Sequence, residues 1–388
     1  MKRTHAPYLA TLAAATLALS ACGGGGIVEE NSTEGSGSSS SEEGGASGEK
    51  VTLNMVTMVQ PNVPNAPVQN WFLDELEARS DGRIEIKRTE PGSICKAAEI
   101  AECVKDGRAD IGISVSEYTP QLFPSMSIAT IPFMADNSQA FMQAMDKVNH
   151  ENADAVAAWE ASGLTLMASW TPGNMVMGSN VEITSVKDLD GMRFRVVGAY
   201  LQQAFEKAGT NVVALTAPET YEGIERGLAD AAAWVMDGAV DYKLMEQLKH
   251  WTAPGTGTYT TFAIWLNTDV YNAMPDDLKQ IVEETRMDLI NGEGMKAFNG
   301  ATEVQCDQML AFEGVESFTK WDEAATEEWK AMVQDDLIEA WKKQAESDGL
   351  NNPQGYLEDY LAAYEEFAAQ PDIVDDPVTA CVKRFEER

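Results

Sequence analysis

The stretch Asp188-Leu189-Asp190-Gly191-Met192-Arg193-Phe194-Arg195-Val196-Val197-Gly198 places two guanidinium groups two residues apart on one short segment. A guanidinium offers a planar fork of N–H donors that meets a carboxylate through two parallel hydrogen bonds, and it stays ionised when partly buried. The chemistry this segment can do is recognition of an anion. Asp190-Gly191 reads as a turn and residues 192–197 as a strand. Period-two alternation sets Met192, Phe194 and Val196 on one face and Arg193, Arg195 and Val197 on the other. In open α/β sheets ligands sit beyond the carboxyl ends of strands. Arg195 is nearer that end and is the cleft candidate; Arg193 reads as a solvated surface charge. A structural ion pair with Asp188 or Asp190 is the competing reading of the same spacing.

Catalytic constellations are scarce elsewhere. His150 and His250 stand outside any His-Glu-x-x-His metal motif, and no Gly-x-Ser-x-Gly elbow occurs. Ser-x-x-Lys appears at Ser93–Lys96 and Ser317–Lys320 without a Lys-Thr-Gly partner, and both read as chance. Acid pairs such as Asp335-Asp336 read as solvated helix faces. A secreted enzyme is therefore the weaker class, and no cofactor or metal site is expected.

The elements that must position the arginine strand follow from periodicity. Residues 51–59 read as a buried first strand. A proline-rich loop (Pro61, Pro64, Pro67) leads to a helix with Trp71, Leu73, Leu76 and Ala78 near one face, and residues 83–87 form a second strand. Strand, helix, strand argues for a parallel sheet covered by helices, an α/β fold. One pattern occurs twice. Gly107-Arg108-Ala109-Asp110 runs into Ile111, and Gly227-Leu228-Ala229-Asp230 runs into Ala231; in each a helix ends on a glycine cap before a strand. Two such units fit two lobes of similar build. Residues 149–162 read as a helix, 163–170 and 259–266 as strands, and a helix opens at Pro275 and runs through Leu289. Trp321, Ala325, Trp329, Val333, Leu337 and Trp341 make a core-facing helical stripe.

Charge and termini restrict the setting. The net charge of −34 argues against nucleic acid as a partner and means an anionic ligand must be held by a local, buried cation. Lys2, Arg3 and His5 precede an apolar run at residues 8–19, too short to span a bilayer. Leu19-Ser20-Ala21-Cys22 then matches a lipoprotein box, so residues 1–21 read as a leader and Cys22 as a lipidation site; an ordinary secretory signal is the alternative. Residues 22–48, rich in Gly, Ser and Glu, read as a tether. The expected location is extracytoplasmic, lipid-anchored to the outer face of a membrane. Four further cysteines in an oxidising compartment argue for two disulfides, with Cys95–Cys103 and Cys306–Cys381 favoured and free buried cysteines the alternative. Eight residues of helix span about 12 Å, more than the ~7 Å a bridge allows. Cys95 must then precede the helix that holds Cys103.

Asp188-Leu189-x-Gly191-Met192-x-Phe194-Arg195-Val196 resembles the signature of solute-binding proteins of tripartite ATP-independent periplasmic (TRAP) transporters, the dicarboxylate-binding type. Tyr118-Thr119-Pro120, Ile131-Pro132-Phe133 and Trp265-Leu266-Asn267 before Met274-Pro275 extend the likeness over residues 51–329. It implies a two-lobed fold with a hinge and a ligand cleft, taken as residues 49–172 plus 261–300 for one lobe and 173–260 plus 301–388 for the other. It also implies that Arg195 pairs with a substrate carboxylate and that cargo passes to membrane subunits. Relatives carry Glu-Asn-Pro or Glu-Trp where this chain has Ala233-Trp234-Val235, which puts a bound metal in doubt. Trp234, Trp170, Tyr118 and Trp265 are candidate aromatic walls, with core packing the alternative for each and the favoured reading of Trp265. Asn174, Tyr200 and Gln60 are candidate polar contacts. The pocket then leans toward a monocarboxylate with an apolar or ring-bearing body. A receptor coupled to a sensor or an ABC-type transporter is the alternative function.

Overall fold

The structure, a computed structural model, describes residues 48–371, 373 and 377–388; the expected leader, Cys22 and all of the tether but Gly48 lie outside the described residues. Short runs rich in Val, Ile, Ala and aromatic residues become strands where helices cover both faces of a sheet. In chain order they are β1 (Val51–Thr57), β2 (Ile84–Arg88), β3 (Ile111–Val115), β4 (Leu164–Trp170), β5 (Val176–Ser179), β6 (Arg193–Arg195), β7 (Asn211–Val213), β8 (Ala231–Trp234), β9 (His250–Ala253), β10 (Phe262–Asn267) and β11 (Ser317–Lys320). They build two sheets, ordered β2-β1-β3-β10-β4 and β11-β9-β5-β8-β6-β7. The chain crosses between sheets after β4, returns after β9 and crosses a third time after β10 to reach β11. The strand that follows each of the first two crossings, β5 or β10, runs antiparallel to its neighbours, whereas β1–β2, β1–β3, β6–β7, β6–β8 and β9–β11 are parallel.

The first two crossing segments lie side by side. Asn174 bridges Thr258, the Met175 N–H donates to the Gly257 carbonyl at 2.9 Å, and the Tyr259 N–H donates to that of Gly173 at 3.3 Å. Gly257 sits at φ +82°, where a Cβ would also collide with the Ala135 carbonyl oxygen, so only glycine lets the segments pass. This paired strip is the hinge of a two-lobed α/β fold.

The repeated Gly-x-Ala-Asp units fold alike. The N–H of Gly107 donates to Val104 and that of Arg108 to Cys103; those of Gly227 and Leu228 donate to Ile224 and Gly223 in the same pattern. Each aspartate then reaches a parallel neighbour. Asp110 Oδ2 accepts from the Asn54 backbone N–H on β1 at 2.7 Å, and Asp230 Oδ2 from that of Arg193 on β6 at 3.3 Å.

Three expectations need correction. In the helix Asn65–Arg79 the buried residues include Val68, Phe72, Leu73 and Leu76, while Ala78 is exposed and Trp71 only partly covered. The spacing 68-72-76 follows one face of a 3.6-residue turn more closely than 71-73-76-78 does. Residues 149–162 are not one helix. They end Ser138–Glu151 and supply Ala153–Ser162, because the Asn152 side chain accepts the N–H groups of Asp154 and Ala155 and caps the second. The helix Pro353–Ala368 does not pack with the second sheet as the lobe bounds imply. It lies on Ser138–Glu151, where Asn149 Nδ2 donates to the Tyr356 hydroxyl at 3.0 Å and Phe141 meets Tyr360 edge-on.

The stripe from Trp321 through Trp341 is buried, most of it on the long helix Glu323–Ser347. That helix touches both halves. Trp329 packs on Phe205 and Phe133, and Trp341 Nε1 donates to the Pro124 carbonyl. Cys95 lies in the turn before the helix Ile100–Lys105 and is bridged to Cys103 with 6.5 Å between Cα atoms; Cys306 and Cys381 are bridged at 5.6 Å.

Candidate functional site

β6 is three residues long and lies between β7 and β8, which hides its last side chain while leaving its first at the margin. Arg195 is accordingly only 2 % exposed. Its Nε donates to the Leu215 carbonyl at 3.1 Å, and Nη1 donates to the Ala233 carbonyl at 3.1 Å and to the Tyr259 hydroxyl at 2.8 Å. The Tyr259 hydroxyl in turn donates to the Ala233 carbonyl at 3.0 Å. Nη2 has no hydrogen-bond partner among the described residues, and none of their carboxylates comes within 4.0 Å of the group. The guanidinium carbon stacks 3.8 Å from the centroid of the Trp234 ring. Backbone carbonyls and a π face thus hold the cation in place while leaving its charge uncompensated.

Arg193 has a different fate. Its side chain is 49 % exposed and forks onto Asp230, with a further bond to the Gly227 carbonyl. The ion-pair reading therefore fits Arg193, with Asp230 as partner and not Asp188 or Asp190. Asp188 instead closes a turn by accepting from Thr184 and Ser185.

Around Arg195 the cavity wall includes Met58, Val115, Tyr118, Trp234, Tyr242 and Phe262, which close in on a cavity of only about 30 Å³. Met58 and Val115 come from the carboxyl ends of β1 and β3, and Trp234 closes β8, so both sheets contribute at the position topology favours. Tyr118 reaches across, its hydroxyl accepting the Ala217 N–H at 3.0 Å. The Asn65 side chain, fully buried at the start of its helix, links both halves as well. Its Oδ1 accepts from Trp170 Nε1 at 2.9 Å, and its Nδ2 donates to Asp237 Oδ2 at 3.3 Å.

Asp237 is a wall residue too. Burial, then the nearby Asp241 carboxylate, pushes its carboxyl up to about 7, against the opposing pull of Trp234 and Arg195. Its Oδ1 has no hydrogen-bond partner among the described residues; the Trp234 indole N–H is close enough to favour the ionised form without meeting hydrogen-bond geometry. Glu117, beside Tyr118, is pushed up to about 8 by burial although Oε1 accepts the Thr261 N–H at 3.0 Å.

The structure brings together Arg195, Trp234 and Tyr118. Trp170 stands one layer behind, stacked on Phe262 at 5.5 Å. The remaining candidates are elsewhere. Trp265 is core, packed 4.8 Å from Phe123. Tyr200 is buried in the helix Ala199–Lys207, away from the wall, with its hydroxyl pushed up to about 12 by burial. Asn174 belongs to the hinge and donates to the Asp136 carbonyl at 2.9 Å, while Gln60 turns the loop by accepting the Val63 N–H through its backbone. Sequence reasoning missed Tyr259, Tyr242, Phe262, Asn65 and Asp237. Asp237 and Tyr259 had a usable signal, since one follows β8 in the first turn beyond a strand's carboxyl end and the other lies in a crossing segment. No cluster of acids, histidines or cysteines suited to a metal occurs among the described residues, and Ala233 offers only its carbonyl.

Two sheets joined by a paired hinge strip, with one buried cation at their interface, define a bilobal ligand-capture protein. Residues 55–344 match bacterial extracellular solute-binding protein, family 7, and the chain belongs to that family, the binding components of TRAP transporters. The C4-dicarboxylate-binding periplasmic protein of Rhodobacter capsulatus is 22% identical over 304 residues, covering 76% of this chain and 88% of the relative. A monocarboxylate 2-oxoacid-binding periplasmic protein of Nostoc is 24% identical over 301 residues, with coverage of 68% and 78%. The solved TRAP solute-binding protein of Rhodoferax ferrireducens, in complex with copurified benzoate, superimposes with a TM-score of 0.72 at 20% identity, over 82% of this chain and 99% of that one. No helix among the described residues is long and apolar enough to cross a membrane.

Proposed function

We propose that this protein captures an organic monocarboxylate at Arg195 and presents it, lobes closed, to the membrane subunits of a TRAP transporter. One observation carries the reading: a buried guanidinium with an unengaged Nη2 and no carboxylate partner among the described residues. Burying a charge without a counter-charge is costly, and a ligand carboxylate supplies one. Arg195 is the one cation among the wall residues, and Asp237 opposes a second carboxylate on the same ligand. The apolar and aromatic remainder of the wall suits a ring or a branched chain. The benzoate of the Rhodoferax structure and the 2-oxoacids of the Nostoc relative support that class. Capture without turnover is part of the reading, as are a leader at residues 1–21 and a lipid anchor at Cys22, which rest on the sequence.

A thermal-shift and calorimetry screen of monocarboxylates, each paired with its neutral amide, tests this. The acids are expected to stabilise and bind while their amides do not. Equal binding of acid and amide removes the carboxylate from the proposal.

A further inference from the structure

Asp237 is difficult to reconcile with simple capture of an anion. It is 6 % exposed and shares the cavity wall with Arg195. One oxygen is spent: Oδ2 takes Asn65 Nδ2 across the cleft at 3.3 Å. Oδ1 is buried without a partner among the described residues. An orphaned acceptor of this kind costs the free protein stability, and it is relieved when a ligand supplies a donor. Buried Glu117 and Asp146 also leave one oxygen each without a partner, so the bare oxygen alone does not single Asp237 out. Its place does: it is the acid on the wall it shares with Arg195, whose Nη1 and Nε bond two carbonyls and Tyr259 and leave the carboxylate aside.

Resting on the carboxylate reading, we infer that Asp237 is a specificity-determining residue: its Oδ1 accepts a hydrogen bond from an O–H or N–H group of the ligand. The cargo class narrows to monocarboxylates that carry a donor on the same small skeleton, such as hydroxy acids or acids bearing a protonated nitrogen. Arg195 takes the acid end, Trp234 and Phe262 flank the body, and Asp237 reads the substituent. A site built around a polar partner rejects the analogue that lacks it far more strongly than an apolar wall rejects a size change, because the analogue leaves the acceptor bare.

Two matched sets of acids test the assignment by calorimetry on the mature protein. Phenylacetate, mandelate, phenylglyoxylate and phenylglycine vary only the α-substituent; benzoate, 3-hydroxybenzoate, 4-hydroxybenzoate and 3-methoxybenzoate vary the ring. In at least one set a donor-bearing acid is expected to bind about tenfold or more tightly than the parent and the acceptor-only analogue. Asp237→Asn is nearly isosteric, and thermal melts establish that it is folded. Measured at about pH 8.5, above the value of about 7 to which the Asp237 carboxyl is raised, the substitution is expected to cut that preference about fivefold or more, read as the ratio of donor-bearing to parent affinity. A structural role would weaken all acids together. If acids bind but donors confer no advantage, or the ranking survives Asp237→Asn, the inference falls and the carboxylate reading stands. If no acid in either set binds, both fall.

Discussion

Asn54 with Asp110 and Arg193 with Asp230 are the same device built twice. In each half an aspartate after a glycine-capped helix grips the backbone of a parallel strand, β1 in one sheet and β6 in the other. The registers match: Met55 faces Ile111 as Phe194 faces Ala231, so Val56 occupies in the first half the place that Arg195 takes in the second. One half spends that place on core packing and the other on a cation. On matching positions of the two strands a valine in one half corresponds to an arginine in the other, and the proposed capture of a carboxylate rests on that exchange. Position on the strand matters as much as residue type. Two residues upstream, Arg193 has a carboxylate and solvent, and its charge is already answered.

The sharpest way to break the comparison is Arg195→Ala, which turns the second half into a copy of the first. Binding of any recognised acid should fall about a hundredfold or more by calorimetry, since charge-assisted hydrogen bonds contribute roughly 1.5–3 kcal/mol each. Arg195→Lys should lose much of it too, because the fork is gone; affinities within a few-fold of the parent for both would remove Arg195 from the site.

A second contrast is between buried charges. Arginine cannot shed its charge, whereas Glu117 on the first half can, its carboxyl raised from 4.5 to about 8 chiefly by burial. Asp237 is raised from 3.8 to about 7 for the same leading reason. Between the unfolded and folded values the native state holds protons the unfolded chain has released. The contribution of these two groups is therefore fully present near pH 4 and is lost as pH climbs through about 7 and 8. Melting temperature should drop by several degrees between about pH 5 and pH 8.5, and Glu117→Gln should flatten that slope; a slope that the variant leaves intact would assign it to other groups.

Asp110→Ala and Asp230→Ala should each lower stability by about 1 kcal/mol in denaturant titrations, with binding little changed. A loss confined to one of the two would mean the duplicated turns do unequal duty. Arg193→Ala should do least: its pair is exposed and screened by solvent, and affinity should stay within about threefold. A loss there exceeding that of Arg195→Ala would reverse the assignment of the two arginines.

Much of this was legible from residue order. The strand around Arg195, the duplicated glycine caps, the Cys95–Cys103 bridge and the tryptophan stripe follow from local spacing, because each is fixed by periodicity or by a short covalent reach. The rest of the wall was not, for it is made by segments distant in the chain. Tyr259 meets Arg195 across 64 positions, and Asn65 meets Asp237 across 172. Aromatic residues misled most where burial alone decides, since a tryptophan that packs on Phe123 and one that stacks on a guanidinium share the same strand pattern. Tyr200 and Asn174 are polar groups that meet Ser127 and the Asp136 carbonyl, away from the Arg195 wall.

The helix Glu323–Ser347 runs past the hinge strip and is fastened at two places, by Trp329 among Phe205 and Phe133 and by Trp341 at Pro124. Trp329 lies between one ring from each half, so drawing Phe205 away from Phe133 would strip that indole of one neighbour and wet a face that is now dry.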